Sequence, residues 1–107
     1  MIIKSDKVFL LPFNSSVHMV MIGYSIYSYN GALAVLLLSN PPSFDEVFGV
    51  ITVNLPSSPS YITYRQYIDV NHFPEIGEWL HKNRIAVPTG KHYTSGWVTY
   101  PEYRFIK

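Results

Sequence analysis

Asn30-Gly31 stands between two apolar runs, residues 17–29 and 32–38. Both residues tolerate the positive φ that a type I′ turn demands. The pair therefore predicts a β-hairpin in which residues 32–38 return antiparallel to residues 24–29. The punctuation of the remaining chain favours more strands. Asn14-Ser15-Ser16 closes the apolar run of residues 8–13, and Asn40-Pro41-Pro42-Ser43 ends the returning strand. Residues 47–55 (VFGVITVNL) read as a third long strand, with Gly49 marking a bulge. Pro56-Ser57-Ser58-Pro59-Ser60 is a surface loop, and residues 61–69 alternate as a further strand. Ile62, Tyr64, Gln66 and Ile68 fall on one face of it; Tyr61, Thr63, Arg65 and Tyr67 fall on the other.

One helix is predicted. Asn71 is its N-cap, and Pro74 sits in the first turn, where a missing N–H costs little. Phe73, Ile76 and Leu80 make a core-facing stripe with Trp79 at its border. Glu75 and Glu78 near one end, and Lys82 and Arg84 near the other, suit the helix dipole. Pro88-Thr89-Gly90 then reads as a turn, and residues 92–100 as the last strand, bulged at Gly96. The expected fold is α+β: mainly antiparallel β-sheet with one short helix packed on one face. A chain of 107 residues fills one domain, residues 1–107.

Composition narrows the function. Net charge is +1 and the eight basic residues are scattered, which argues against a basic nucleic-acid stripe and equally against an acidic DNA mimic. Absence of Cys excludes disulfides, a thiolate nucleophile and Cys-ligated zinc. The apolar runs fall short of the roughly 20 residues that span a bilayer, and Asp6-Lys7 interrupts any leader-like start. The expectation is a soluble cytoplasmic protein without membrane contact.

Val53-Asn54-Leu55-Pro56, Tyr67-Ile68-Asp69, Asn71 before a helix, Leu80, Pro88-Thr89-Gly90, and Ser95-Gly96 with Pro101 form an ordered pattern. Together with Asn30-Gly31-Ala32-Leu33-Ala34 it resembles an uncharacterised small-domain family, domain of unknown function 4313, over roughly residues 24–104. The aromatic stretch of residues 9–24 has no counterpart in that pattern. The resemblance implies a setting in phages and bacterial mobile elements, whose small proteins frequently counter host defences. It brings no catalytic residues.

The residues themselves carry little chemistry. Glu78 and His81 share the E-x-x-H spacing of di-metal bundles, but such sites take carboxylates from further helices, so a solvated pair is the better reading. Asp69 and His72 flank the helix start as an acid–base pair would, without an identifiable nucleophile beside them. His18, His72, His81 and His92 lack metal-ligand spacing. Thr89, Gly90, Lys91, His92, Thr94 and Ser95 offer hydroxyls, backbone N–H groups and a cation, the parts of an anion-binding loop, though not in P-loop order. The nine tyrosines carry more weight, because Tyr and Trp are enriched at interfaces. Tyr61, Tyr64, Arg65, Tyr67, Tyr93 and Trp97 are the expected partner-binding residues.

The resulting expectation is a non-enzymatic binding protein, without cofactor or metal. Its partner would be a host-defence protein, and it would act as an anti-CRISPR or antirestriction inhibitor. An exposed β edge or Tyr face also allows a homodimer. The alternative is a module for a small ligand or single-stranded nucleic acid, with bases stacked on exposed aromatics.

Overall fold

The apolar runs pair as hairpins in the computed structural model, which describes residues 1–106. β1 (Ile3–Phe13), β2 (Ser16–Ile26), β3 (Leu33–Ser39) and β4 (Glu46–Val50) form one antiparallel meander in that order. β5 (Thr52–Val53), β6 (Arg65–Ile68), β7 (Ala86–Ser95) and β8 (Val98–Phe105) form a second sheet in the order β5-β6-β8-β7. The one α-helix among the described residues, α1 (Ile76–Lys82), lies between β6 and β7 in sequence.

The core lies between these layers. Leu11, Val20, Ile22, Val35 and Leu37 face inward from the first sheet, and Ile68 and Phe105 from the second. Ile76, Trp79 and Leu80 complete it from the helix. Trp79 Nε1 donates to the Leu10 carbonyl at 2.8 Å, and its ring meets Phe9 edge-on at 6.0 Å. That contact ties a seven-residue helix, too short to stand alone, to β1. Gly77 lets the helix approach β8 closely: a Cβ there would sit 2.5 Å from the Tyr103 hydroxyl.

The expected fold class is the one observed, with several boundaries moved. The type I′ turn belongs to Asn14-Ser15, whose φ values are 50° and 63°, between the paired Phe13 and Ser16. The Asn30-Gly31 hairpin exists, but its loop is wider. Only Gly31 takes positive φ, at 70°. Asn30 spends its side chain instead, accepting from the Ala32 N–H and bonding Asn54. The strand expected over residues 47–55 is cut at Ile51, where the chain passes from one sheet to the other. The strand expected over residues 61–69 begins late. Tyr61–Thr63 is a 3₁₀ turn capped by the Ser60 side chain, and Tyr64 is left-handed at φ 55°. The helix also starts late, with Glu75 rather than Asn71 as N-cap. Asp69 holds the preceding turn by accepting from the His72 N–H on its carboxylate and from the Phe73 N–H on its carbonyl.

The last third differs most. Pro88-Thr89-Gly90 is a bulge within β7, with Gly90 at φ 89° and the pairing register shifting between Pro88 and His92. Gly96 is no bulge. With Trp97 it forms the two-residue loop between the paired Ser95 and Val98, and its φ of 61° at the first loop position suits a type II′ hairpin turn.

Trp79→Phe keeps an aromatic ring but removes the N–H that reaches Leu10. It is expected to lower unfolding free energy by about 1–2 kcal/mol, read by urea denaturation, with the far-ultraviolet circular dichroism spectrum retained.

Candidate partner-binding surface

Strand alternation sorts the candidate residues. Ile68 joins the core from β6 and the Gln66 amide donates to the Leu33 carbonyl from the same side, so Arg65 and Tyr67 lie on the opposite face, with Tyr67 itself buried there. Across β8, Arg65 pairs with Arg104 and Tyr67 with Glu102. Tyr93 on β7 pairs with Tyr100. The outer face of the second sheet therefore gathers Arg65, Tyr67, Glu102, Arg104, Tyr93 and Tyr100. The Tyr67 and Tyr93 rings meet edge-to-face at 5.9 Å.

Glu102 is the centre of this face and was not legible as such in the sequence. It is buried, and one carboxylate oxygen accepts from the Thr89 hydroxyl at 2.7 Å. Arg65 approaches that same oxygen at 3.8 Å, while Oε2 is buried without a hydrogen-bond partner. The signal available was its position between Tyr100 and Arg104 in the strand alternation, opposite an aromatic strand. Thr89 explains the bulge: the extra residues of β7 bring its hydroxyl over the carboxylate.

Of the expected partner-binding residues, the sheet brings Arg65, Tyr67 and Tyr93 together. Tyr67 is fully buried, so its part is to back Tyr93 rather than to touch a partner. Trp97 stands fully exposed at the hairpin tip. Tyr61 and Tyr64 lie elsewhere, in a cleft of about 320 Å³ shared with Tyr24, Ile26 and Leu33. Burial raises the Tyr24 phenol above its ordinary 10.0.

The expected anion-binding residues do not form one cradle. The Thr89 hydroxyl is committed to Glu102, and the Lys91 N–H donates to Thr89 Oγ1. Thr94 pairs with Thr99 at 2.8 Å. His92 and Thr94 lie two residues apart on β7 and share one face, whereas Ser95 falls on the other. Gly90 supplies the bulge geometry.

Elsewhere, His72 Nδ1 lies 2.7 Å from Asp69 Oδ2, and the His72 ring is exposed. Glu78 and His81 are exposed on α1. Among the described residues no group of three or more His, Asp or Glu could hold a metal ion. No helix among them is long and apolar enough to cross a membrane.

Thr89→Val strips the Glu102 carboxylate of its nearest donor. It should cost about 1–3 kcal/mol in urea unfolding, whereas Thr94→Val, on an exposed pair, should stay within about 0.5 kcal/mol. Alkaline pH gives a separate check. The raised Tyr24 phenol favours the folded state below pH 10.0, the unfolded value, and that contribution is lost as pH rises through the folded value. Tyr24→Phe is expected to shallow the loss of stability above that pH.

No curated protein and no solved structure matches the chain. A family model, Domain of unknown function (DUF4313), matches residues 22–107, leaving β1 and the start of β2 ahead of the match. The chain belongs to that family.

Proposed function

We propose that this chain is a non-enzymatic binding protein of a phage or mobile element, which inhibits host defence through protein–protein contacts. The observation that carries the reading is Trp97. The largest side chain available sits fully in solvent, on a two-residue turn at the tip of a hairpin whose first strand is largely exposed. Trp is the residue most enriched at interface hot spots, and a tight turn holds it at little entropic cost on binding. Tyr93 and Tyr100 extend the same hairpin with amphipathic rings. The part-buried Glu102–Thr89 bond braces the hairpin, so the contact surface is presented by a fixed frame. The host-defence target, a CRISPR or restriction complex, follows from the mobile-element setting that the family resemblance implies, an argument by analogy.

Expressed in cells that carry such a system, the chain should raise plating of a targeted phage at least about tenfold, the effect of a single hot-spot contact. Trp97→Ala should abolish the gain with the melting temperature unchanged. Plating that stays at the level of an empty vector, across cells with restriction and with CRISPR systems, refutes the reading.

A second reading rests on one observation: Arg65 and Arg104 are direct cross-strand partners on the face that carries Tyr93 and Tyr100. Like charges opposed across strands are unfavourable alone, and a phosphate backbone would relieve them while bases stack on the tyrosines. Retention on single-stranded DNA that weakens with salt would favour it. Indifference to the nucleic acid removes it.

A further inference from the structure

The first sheet has an outer face that should be polar and is not. An antiparallel sheet with one face on the core normally alternates apolar-in and polar-out. Here the inward residues of β1 and β2 include Leu11, Val20 and Ile22. Their outward neighbours are Val8, Leu10, Pro12, Val17, Met19 and Met21. The register makes these one surface: Val8 pairs with Met21, Leu10 with Met19 and Pro12 with Val17. Across the sheet the register runs on through Met21–Leu38 to Leu38–Val47 and Leu36–Val50, but Leu38 itself is buried. Val8, Leu10, Val17, Met19, Val47 and Val50 keep between 38% and 64% of their surface in solvent. Lys4 marks the margin of this face: it pairs with Gly23, in the row of Leu36 and Val50, and its Nζ donates to the Ser43 carbonyl at 3.1 Å, whereas the pairs from Val8–Met21 to Pro12–Val17 hold no Asp, Glu, Lys or Arg. Ile2 lies over Gly23 and Leu38 and covers one end; the end toward Leu10 and Val17 stays bare.

We infer that this face is covered by the same face of a second copy of the chain, forming a two-fold dimer. Charge and size select that occupant. The bare part, from Val8–Met21 to Pro12–Val17, is uncharged, and each copy carries a net charge of only +1, so two copies meet without significant repulsion. An apolar β face has its natural complement in another sheet, packed about 10 Å away with strands inclined by about 30°. A two-fold axis through the patch supplies that sheet with matching dimensions. The exposed apolar area is of the order of 400 Å² on each copy, the size at which such patches mark association sites. With the surrounding rim, two copies reach the roughly 1,000 Å² of a specific interface. The dimer uses the opposite sheet from the Trp97 hairpin and stands independently of the proposed function. It leaves a hairpin on each copy free for a target.

Sedimentation equilibrium of the purified chain, over a hundredfold concentration range bracketing about 10 µM, should show the mass doubling. Leu10→Glu with Val17→Glu should hold the chain monomeric throughout, with its circular dichroism retained. Mixing that variant with a Leu10→Lys, Val17→Lys variant should restore the doubled mass, an outcome that misfolding cannot produce. Trp97→Ala should leave the mass doubled, so loss of target binding and loss of the dimer are read separately. A wild-type chain that remains monomeric across the range overturns the inference, as does a doubled mass that survives the paired glutamates.

Discussion

The passage of the chain from one sheet to the other at Ile51 is the constraint on which the rest of the structure depends. The Ile51 N–H donates to the Val35 carbonyl at 3.0 Å, and its own carbonyl accepts from the Asp69 N–H at 2.8 Å. One residue thus closes the inner edge of the first sheet and begins the second. Thr52 completes the joint. Its hydroxyl accepts from the Val35 N–H at 3.1 Å, so both backbone groups of Val35 are satisfied across the junction. These groups are buried, and leaving either unpaired would cost about 1–3 kcal/mol. Val35, Ile51 and Ile68 all belong to the buried core, so polar satisfaction and packing point to one geometry.

From this junction the two ends of the molecule acquire different tasks. The first sheet places one face on the shared core and leaves an apolar face outside. The second places Ile68 and Phe105 on the core and carries Arg65, Tyr67, Glu102 and Tyr93 on its other face, where Tyr67 and Glu102 are themselves buried. The helix covers the core without reaching either outer face, and its Trp79 bond to Leu10 holds β1 in position. The long hairpin of β7 and β8 runs past the core, anchored at its base by Ala86 and Phe105 and braced midway by Thr89 on Glu102. The wholly exposed Trp97 marks its end.

Much of this architecture could be read from residue order. Apolar runs cut by Asn-Ser, Asn-Pro-Pro and Pro-Ser-Ser-Pro clusters announce strands, and the stripe of Ile76 and Leu80 beside Trp79 announces the helix. The break at Ile51 left no trace, because VFGVITVNL is apolar on both sides of it and only the tertiary hydrogen bonds of Val35 and Asp69 define the change of sheet. Gly96 was ambiguous for a related reason: a glycine between alternating residues serves a bulge or a tight turn equally well. Pairing of Ser95 with Val98 decides for the turn. Of the candidate site, Tyr93 and Trp97 were legible by type. The Glu102–Thr89 pair was not, since it joins residues across a bulge whose extra length no local pattern reveals. The apolar outer face was hidden as well, because an unbroken apolar run does not show which parity the core will take.

Trp97 is the proposed point of contact, and fluorine NMR of the protein labelled with 5-fluorotryptophan tests this most directly. The chain has two tryptophans in opposite environments, Trp79 buried and Trp97 exposed. Two resonances are therefore expected, one of them solvent-accessible. Addition of the purified defence complex that the plating assay identifies should shift or broaden the Trp97 resonance and leave the Trp79 resonance in place. A complex that forms while the Trp97 resonance keeps its position and width would contradict the account.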